Sequence, residues 1–165
     1  MKLKIKVKVK FDSLFPEVID KGDWVDLKLP YLAILNPCTA KGNGEIQFSY
    51  NNIPLGIAME LPKGFEAIVA PRSSTFQRYG IIQANGIGVV DNSYCSDKDE
   101  WHFPIISTKR ITVFEGTRLC QFKIQLSQKA TFLQKLKWLF SNGIEFIKVS
   151  SLDNETRGGF GSTGD

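Results

Sequence analysis

The last residues of the chain have a composition that suits phosphate binding. Successive glycine N–H groups can form a concave anion site, hydroxyl groups can donate to phosphate oxygens, and a guanidinium can bind them with two hydrogen bonds. An aromatic side chain among the glycines can cover a flat ring. We therefore predict that residues 155–165 form a mobile arm that closes over a phosphorylated ring ligand, the alternative being a disordered polar tail. The segment reads Arg157-Gly158-Gly159-Phe160-Gly161-Ser162-Thr163-Gly164.

A second candidate for phosphate binding follows a predicted strand. The alternation of the strand predicted at 65–70 stops at Ala70, and Pro71-Arg72-Ser73-Ser74-Thr75 comes next. An arginine beside two or three hydroxyl groups at the end of a strand could hold phosphate oxygens. As a motif this combination is weak when it is considered alone.

A turn in the middle of the chain could offer both a ligand-recognition edge and a carboxylate. Asn85-Gly86 between two apolar runs predicts a tight hairpin, whose backbone would expose N–H and C=O groups to a ligand. Asp91 closes the second predicted strand, directly after Val89-Val90, where its carboxylate could accept a proton from water. Considered in isolation, Asp91 is better explained as a turn-forming residue whose side chain bonds its own backbone.

Two further polar residues lie on predicted strands. In the stretch 118–124 the alternation places Cys120 on the core face, whereas Leu119 and Gln121 lie on the other face. We therefore predict that Cys120 is a buried, inert thiol and that Gln121 faces polar surroundings. Asp26 lies in another alternating stretch, which by itself indicates only a strand.

Composition limits the classes of protein that the chain could belong to. With 165 residues, 42% hydrophobic and 23% charged, it is long enough for one domain with its own core. The net charge of +4 favours anionic ligands but does not indicate a dedicated nucleic-acid-binding protein. Three cysteines without a CxxC pair and a single histidine predict reduced thiols, a cytoplasmic location and no zinc site. Neither a signal peptide nor a membrane-spanning run is predicted.

The elements that must position these groups are mostly predicted strands. Lysines alternate with apolar residues from Lys2 to Phe11, which predicts a strand with one lysine face. That face could bind nucleic acid, but we favour the solvated face of an edge strand. Many short strands separated by Gly, Pro and Asn turns predict an all-β jelly-roll sandwich or barrel. The other predicted strands are 45–50, 55–61, 65–70, 81–84, 87–90, 103–106, 110–114 and 117–126.

One segment has the periodicity of a helix. Apolar residues recur at spacings of three and four, and Asn142-Gly143 then supplies a stop. We predict a short amphipathic helix inserted at about 129–141, helical from about residue 131. Its apolar face, with Trp138, either packs on the domain, which is the default, or binds a partner. The apolar residues are Phe132, Leu133, Leu136, Leu139 and Phe140.

Taken together and in this order, five segments resemble the motifs of the trimeric dUTP pyrophosphatase (dUTPase) family. The resemblance runs from about Gly22 to Gly164. The flanking stretches PLGIAMELPKGFEA and YCSDKDEW are most similar to bacteriophage and prophage forms from Gram-positive hosts. The resemblance implies a distorted jelly-roll barrel over residues 1–154. It also implies a homotrimer in which each active site draws residues from all three chains.

The resemblance assigns a role to each matching residue. Asp91 would activate the attacking water and Gln121 would lie near that water, so both are candidate catalytic residues. Asp26 would support the site, and Tyr94 would pack against deoxyribose and exclude a 2′-hydroxyl. The candidate substrate-binding residues are Arg72, Ser73 and Ser74 at the triphosphate, Gln121 near the α-phosphate, Asn85, Gly88, Val90 and Tyr94 at the nucleoside, and Arg157, Phe160, Gly161, Ser162 and Thr163 at the γ-phosphate and uracil.

The implied reaction is hydrolysis of dUTP to dUMP and pyrophosphate, which limits uracil in DNA and supplies dUMP for thymidylate synthesis. A triphosphate carries about three to four negative charges, so a carboxylate base can approach only if that charge is screened. Mg²⁺ on the phosphate oxygens would screen it, held by the triphosphate and waters without direct protein ligands. The implied partners are dUTP and further copies of the chain, with no membrane and no specific nucleic acid.

Two alternatives belong to other activities. The dCTP deaminases share the fold but need a catalytic glutamate in the strand after the hairpin, and Trp101-His102-Phe103-Pro104-Ile105 holds no carboxylate there. The other alternative is a phage regulatory module that binds a protein partner through the inserted helix. This second role could coexist with catalysis.

Overall fold

A computed structural model describes residues 1–20, 22–156 and 158 of the chain. Within these residues fourteen strands are joined by two short helices and one 3₁₀ turn at Asp12–Leu14, so the all-β prediction is confirmed. The helices are α1 (Thr75–Tyr79) and α2 (Phe132–Leu139). The strands are β1 (Leu3–Val9), β2 (Val25–Lys28), β3 (Ala33–Leu35), β4 (Thr39–Ala40), β5 (Ile46–Gln47), β6 (Tyr50–Pro54), β7 (Ile57–Glu60), β8 (Phe65–Pro71), β9 (Ile81–Gln83), β10 (Gly88–Asp91), β11 (His102–Ser107), β12 (Ile111–Val113), β13 (Arg118–Leu126) and β14 (Ile144–Lys148).

The strands pair into five separate sheets. A four-stranded antiparallel sheet in the order β10-β8-β13-β2 holds the candidate site residues Asp26, Gly88, Val90, Asp91 and Gln121. Two three-stranded sheets have the orders β14-β1-β7 and β6-β11-β9, and β12-β3 and β4-β5 form two-stranded sheets. The described strands therefore do not close into one hydrogen-bonded barrel.

The alternating strands bury one apolar core. Trp101 and Phe122 are fully buried, and their rings meet edge to face with centroids 5.2 Å apart. Such a contact stabilises the fold by about 0.5–1.5 kcal/mol beyond the area that it buries. Cys120 lies in the same core, and burial raises the pKa of its thiol, so the prediction of a buried cysteine is confirmed.

Strand β1 shows the predicted alternation but not the predicted position. Its apolar side chains point into the core, whereas the lysines lie at the surface. The prediction of an edge strand is wrong, because β1 lies between β14 and β7. On the lysine face, Lys6 pairs with Glu60 at 3.0 Å and Lys8 with Asp97 at 3.2 Å.

Helix α2 forms where the helical periodicity predicts it. Thr131 caps its start, since the Thr131 hydroxyl accepts from the Gln134 backbone and the Gln134 side chain accepts from the Thr131 N–H at 2.7 Å. This reciprocal capping satisfies two donors that a helix start leaves without partners. Gln134 also lies over the turn before β8, where a side chain at Gly64 would collide with it.

The orientation of α2 differs from the predicted one. Trp138 packs on Phe65 with ring centroids 5.4 Å apart, so the Trp138 side of the helix faces the domain. Most of the apolar stripe points outward instead. The prediction that this stripe packs on the core is therefore wrong for four of its residues, which are Phe132 (72% exposed), Leu133 (75%), Leu139 (73%) and Phe140 (72%).

Candidate active site

One end of the four-stranded sheet brings together residues from three distant segments. Asp26 on β2 lies opposite Gln121 on β13, and Gln121 lies opposite Ala70 near the end of β8. Arg72 follows directly after β8. The Gln121 side chain is half-buried, and its amide donates to the Pro71 carbonyl at 3.4 Å. The antiparallel ladder thus collects these polar groups at one edge of the sheet.

Asp26 holds two arginines at this end of the sheet. Its Oδ1 lies 2.8 Å from Arg72 Nε, and its Oδ2 lies 3.0 Å from Arg118 Nη1. Two guanidinium groups on one carboxylate leave a net positive charge, which suits an anionic ligand. Arg118 was not among the predicted site residues, although a cation three residues before Gln121 on the same predicted strand could have indicated it.

The turn that carries the candidate serines is fixed by β13. The Arg72 N–H donates to the Leu119 carbonyl at 3.1 Å, and the buried Thr75 hydroxyl donates to the same carbonyl at 2.6 Å. Ser73 is exposed and Ser74 is half-buried at the start of α1. Leu119 is buried, contrary to the alternation, because the pairing of β13 with β2 shifts register between Arg118 and Cys120.

The predicted hairpin at Asn85-Gly86 is wrong. β9 pairs with β11, whereas β10 pairs with β8, so the turn connects two different sheets. Each short run finds a longer partner elsewhere, since β11 has six residues and β8 has seven. The turn itself forms, with Gly86 at φ +68°, a left-handed conformation that favours glycine.

A buried glutamine fixes the side chain of Asn85. Gln83 is 6% exposed, and its Nε2 donates to Asn85 Oδ1 at 2.9 Å and to the Val69 carbonyl at 3.2 Å. Beyond the turn, Gly88 lies so close to β8 that an added Cβ would be 3.1 Å from the Val69 Cβ. Gln83 is a further residue that the sequence analysis missed. Val90, two residues on, is half-buried and packs against the core.

Asp91 ends β10 and shapes the turn that follows it. Its Oδ1 accepts from the Ser93 N–H at 3.0 Å and also contacts the Ser93 hydroxyl. The Tyr94 N–H donates to the Asp91 carbonyl at 3.1 Å, and the Tyr94 hydroxyl donates to the Glu100 carbonyl at 3.0 Å. The side-chain turn considered as the alternative for Asp91 is therefore present.

The two groups of candidate residues lie at opposite ends of β8 within one chain. Asp91 is paired with Glu66, whereas Gln121 is paired with Ala70. Four residues of extended strand span about 13 Å, and Arg72 lies two residues further on. Since β10 and β13 also lie on opposite sides of β8, Asp91 and Gln121 are well separated within one chain.

No helix in residues 1–20, 22–156 and 158 is long and apolar enough to cross a membrane. In the same described part, no three His, Cys, Asp or Glu side chains converge as metal ligands, and the cysteines are free thiols. Five candidate site residues lie outside the described residues, namely Arg157, Phe160, Gly161, Ser162 and Thr163.

Comparison with known proteins gives consistent matches. The dUTPase family model matches residues 26–164. The SPbeta prophage-derived deoxyuridine 5'-triphosphate nucleotidohydrolase YosS of Bacillus subtilis is 38% identical over 146 residues, covering 88% of this chain and 87% of that protein. The dUTPase of Streptococcus mutans superposes with a TM-score of 0.64 at 15% identity, covering 76% of this chain and 98% of that one.

A phage protein shows the same fold. The dUTPase of phage phi11 of S. aureus superposes with a TM-score of 0.60 at 14% identity, over 78% of this chain and 94% of that one. At these identities the two structural matches concern the fold alone.

Proposed function

Since the chain belongs to the dUTPase family and is a dUTP diphosphatase, we propose that it forms dUMP and pyrophosphate by attack of an Asp91-activated water on the α-phosphorus. The observation that carries this mechanism is the division of the sheet. A cationic cluster lies at one end of β8 and a carboxylate at the other. Phosphate binding and proton removal need these two kinds of group.

The cationic cluster is proposed to bind the triphosphate. Arg72, with Ser73 and Ser74 beside it, would hold phosphate oxygens, and Arg118 would add positive charge. Asp26 fixes the Arg72 guanidinium through an ion pair at Nε. A guanidinium held in place by a carboxylate loses little entropy when phosphate binds. Gln121 is proposed to lie near the α-phosphate.

The turn between β9 and β10 is proposed to bind the nucleoside. Its backbone from Asn85 to Val90 would read the uracil edge, and Tyr94 would exclude a 2′-hydroxyl. The Gln83 contact supports this assignment, because it fixes Asn85 before any ligand arrives. We further propose that residues 1–154 form the dUTPase domain. Residues 155–165 would form the arm that closes the site, with Arg157, Phe160, Gly161, Ser162 and Thr163 on the γ-phosphate and ring.

Mg²⁺ is proposed to bind with the substrate and to screen the phosphate charge. The described groups at the triphosphate end are guanidinium, amide and hydroxyl groups, which suit phosphate oxygens better than a metal ion. The Asp26 carboxylate also lies there, but its two oxygens are paired with Arg72 and Arg118. The ion would therefore be held by the triphosphate and waters. The phage phi11 dUTPase coordinates a structural Mg(II) ion, which is a different role.

The separation along β8 supports a shared active site. Asp91 and Gln121 would act on the same water, yet their pairing partners on β8, Glu66 and Ala70, lie about 13 Å apart along that strand. Two copies of the chain can bring the Asp91 end of one sheet to the Gln121 end of another. We therefore propose a homotrimer in which each site combines residues from different chains.

The cellular role follows from the reaction. Hydrolysis of dUTP would limit uracil in DNA and would supply dUMP for thymidylate synthesis. The free thiols Cys38, Cys95 and Cys120 support the proposal that the protein works in the reducing cytoplasm.

Substrate choice provides the direct test of the proposed function. With Mg²⁺ the protein should cleave dUTP and leave dTTP, dCTP and UTP largely intact, because a tight turn excludes the 5-methyl group and mispairs with cytosine. Parallel assays of pyrophosphate release, with and without EDTA, measure this. Ammonia release from dCTP would instead support the deaminase alternative, and equal turnover of dTTP would contradict the proposed recognition.

The outward stripe of α2 favours a second role beside catalysis. Four large apolar side chains are exposed there, and the 13 residues from 129 to 141 contain three lysines and no acidic residue. An apolar stripe with a basic rim fits an acidic amphipathic protein segment. We propose such a segment as the occupant.

Binding of an acidic amphipathic helical peptide tests the partner proposal. The parent protein should bind the peptide more weakly as salt rises, and Leu133→Asp should abolish binding while leaving dUTP turnover unchanged. Fluorescence anisotropy measures the binding. The proposal fails if the peptide does not bind, or if light scattering shows that the stripe instead joins copies of the chain.

A further inference from the structure

The loop after the Asp91 turn contacts the chain segment that precedes the glycine-rich residues. This loop, residues 95–100, is the CSDKDE stretch, which has no role among the candidate site residues. Asp97 accepts from the Leu152 N–H at 2.8 Å through Oδ1 and contacts the Ser151 hydroxyl at 2.8 Å through Oδ2. Leu152 is itself buried. The loop therefore holds the C-terminal segment against the domain.

Asp99, a second carboxylate of this loop, contacts the chain closer to the glycine-rich residues than Asp97 does. Asp99 is 2% exposed, and its Oδ1 accepts from the Thr156 hydroxyl at 2.6 Å. Its Oδ2 accepts from the Ser96 N–H at 2.9 Å. Burial by itself would raise the pKa of Asp99, but the hydrogen bonds from Thr156, Ser96 and Cys95 outweigh it and lower the pKa below the ordinary value. An ionised acceptor makes these hydrogen bonds strong.

Thr156 extends this contact into the glycine-rich segment. While its hydroxyl donates to Asp99, the same oxygen accepts from the Gly158 N–H at 3.2 Å. Gly158 has φ +87°, a left-handed conformation that favours glycine. One hydroxyl thus links a buried carboxylate of the loop to the first part of the segment Arg157–Gly164.

We propose that Asp99 is a positioning residue, which acts through Thr156 to fix where the arm leaves the domain. The inference rests on the proposed function, in which that arm closes the active site. The loop and the Asp91 turn are one continuous stretch, and the Tyr94 hydroxyl bonds the Glu100 carbonyl at 3.0 Å. A displacement of the loop would therefore move both the base and the start of the arm. Small misplacements of this kind are costly to catalysis.

Thr156→Val tests the proposal, because it removes the hydroxyl and keeps the shape of the side chain. We expect kcat/KM for dUTP to fall by about tenfold, with the unfolding midpoint close to that of the parent. Thr156→Ser keeps the hydroxyl and should restore the rate. Thr112→Val, at an exposed position on β12, is the matched control and should leave the rate unchanged.

Two further measurements separate positioning from a merely structural role. Amide exchange at Gly158 should be faster in Thr156→Val than in the parent and unaffected in Thr112→Val. In a Phe160→Ala background, Thr156→Val should cost less than in the parent, since both changes act through the same arm. Equal losses in the two backgrounds, or unchanged exchange at Gly158, would overturn the proposal. A parent that fails to hydrolyse dUTP contradicts the proposed function instead, and the Gly158 exchange still tests the anchor.

Discussion

Asp91→Asn is expected to lower the turnover of dUTP by about a hundredfold or more, the usual contribution of a general base. The amide keeps the size of the carboxylate and cannot take a proton from water. It also retains an oxygen that can accept from the Ser93 N–H, so the turn after β10 should persist. Steady-state rates of pyrophosphate release measure the loss.

A binding measurement and a matched variant make the Asp91 experiment specific. The affinity for a non-hydrolysable dUTP analogue should change little, because Asp91 is proposed to contact the attacking water and neither the uracil ring nor the phosphates. Asp23→Asn removes a charge from an exposed position before β2 and should leave turnover intact. Near-normal turnover of Asp91→Asn would reduce Asp91 to a turn-forming residue.

Deletion of Arg157–Asp165 is expected to abolish most turnover while leaving the fold and the oligomer intact. The deleted residues follow the last described strand, β14, and the buried Leu152, so the core keeps its packing. The site would lose the contacts proposed for the γ-phosphate and the ring. Phe160→Ala should cost less, about 1–3 kcal/mol for a stacking contact. Rates and light scattering together measure this, and full activity of the truncated protein would contradict the arm assignment.

Mixing the two inactive variants tests the shared site directly. Co-expression of Asp91→Asn with the truncated chain should restore partial activity, because some mixed trimers contain one site with both an intact base and an intact arm. As the control, each variant expressed alone should stay inactive. A fully active monomer at low concentration would exclude the shared site.

The sequence predicts those elements whose periodicity is not ambiguous. β8 and β13 lie close to the predicted bounds because apolar and polar residues alternate along them, and α2 lies within the predicted 129–141. The chemistry of its segment singled out Arg72, whereas Asp26 and Gln121 received their roles from the family resemblance, and the ladder brings all three to one end of the sheet. The bounds of these elements depend on the spacing of neighbouring residues, which is visible in the sequence.

The errors arise where strands choose their partners. The hairpin at Asn85-Gly86 fails because β9 and β10 each find a longer neighbour in another sheet. The edge position of β1 fails because β14, which lacks strict alternation, was not predicted as a strand. The apolar stripe of α2 was predicted to pack on the domain, but Trp138 and Gln134 make the contacts with the domain instead. Each outcome depends on residues far away in the sequence.

The parallel pairing of β1 with β14 has a consequence for biosynthesis. Leu3 pairs with Ile144, so one flank of β1 lacks its partner until the distant strand β14 has also been translated. Contacts of such high sequence separation are slow to form and leave nascent chains exposed to aggregation. Alternating lysines give this waiting strand a charged face, which discourages pairing with other nascent chains.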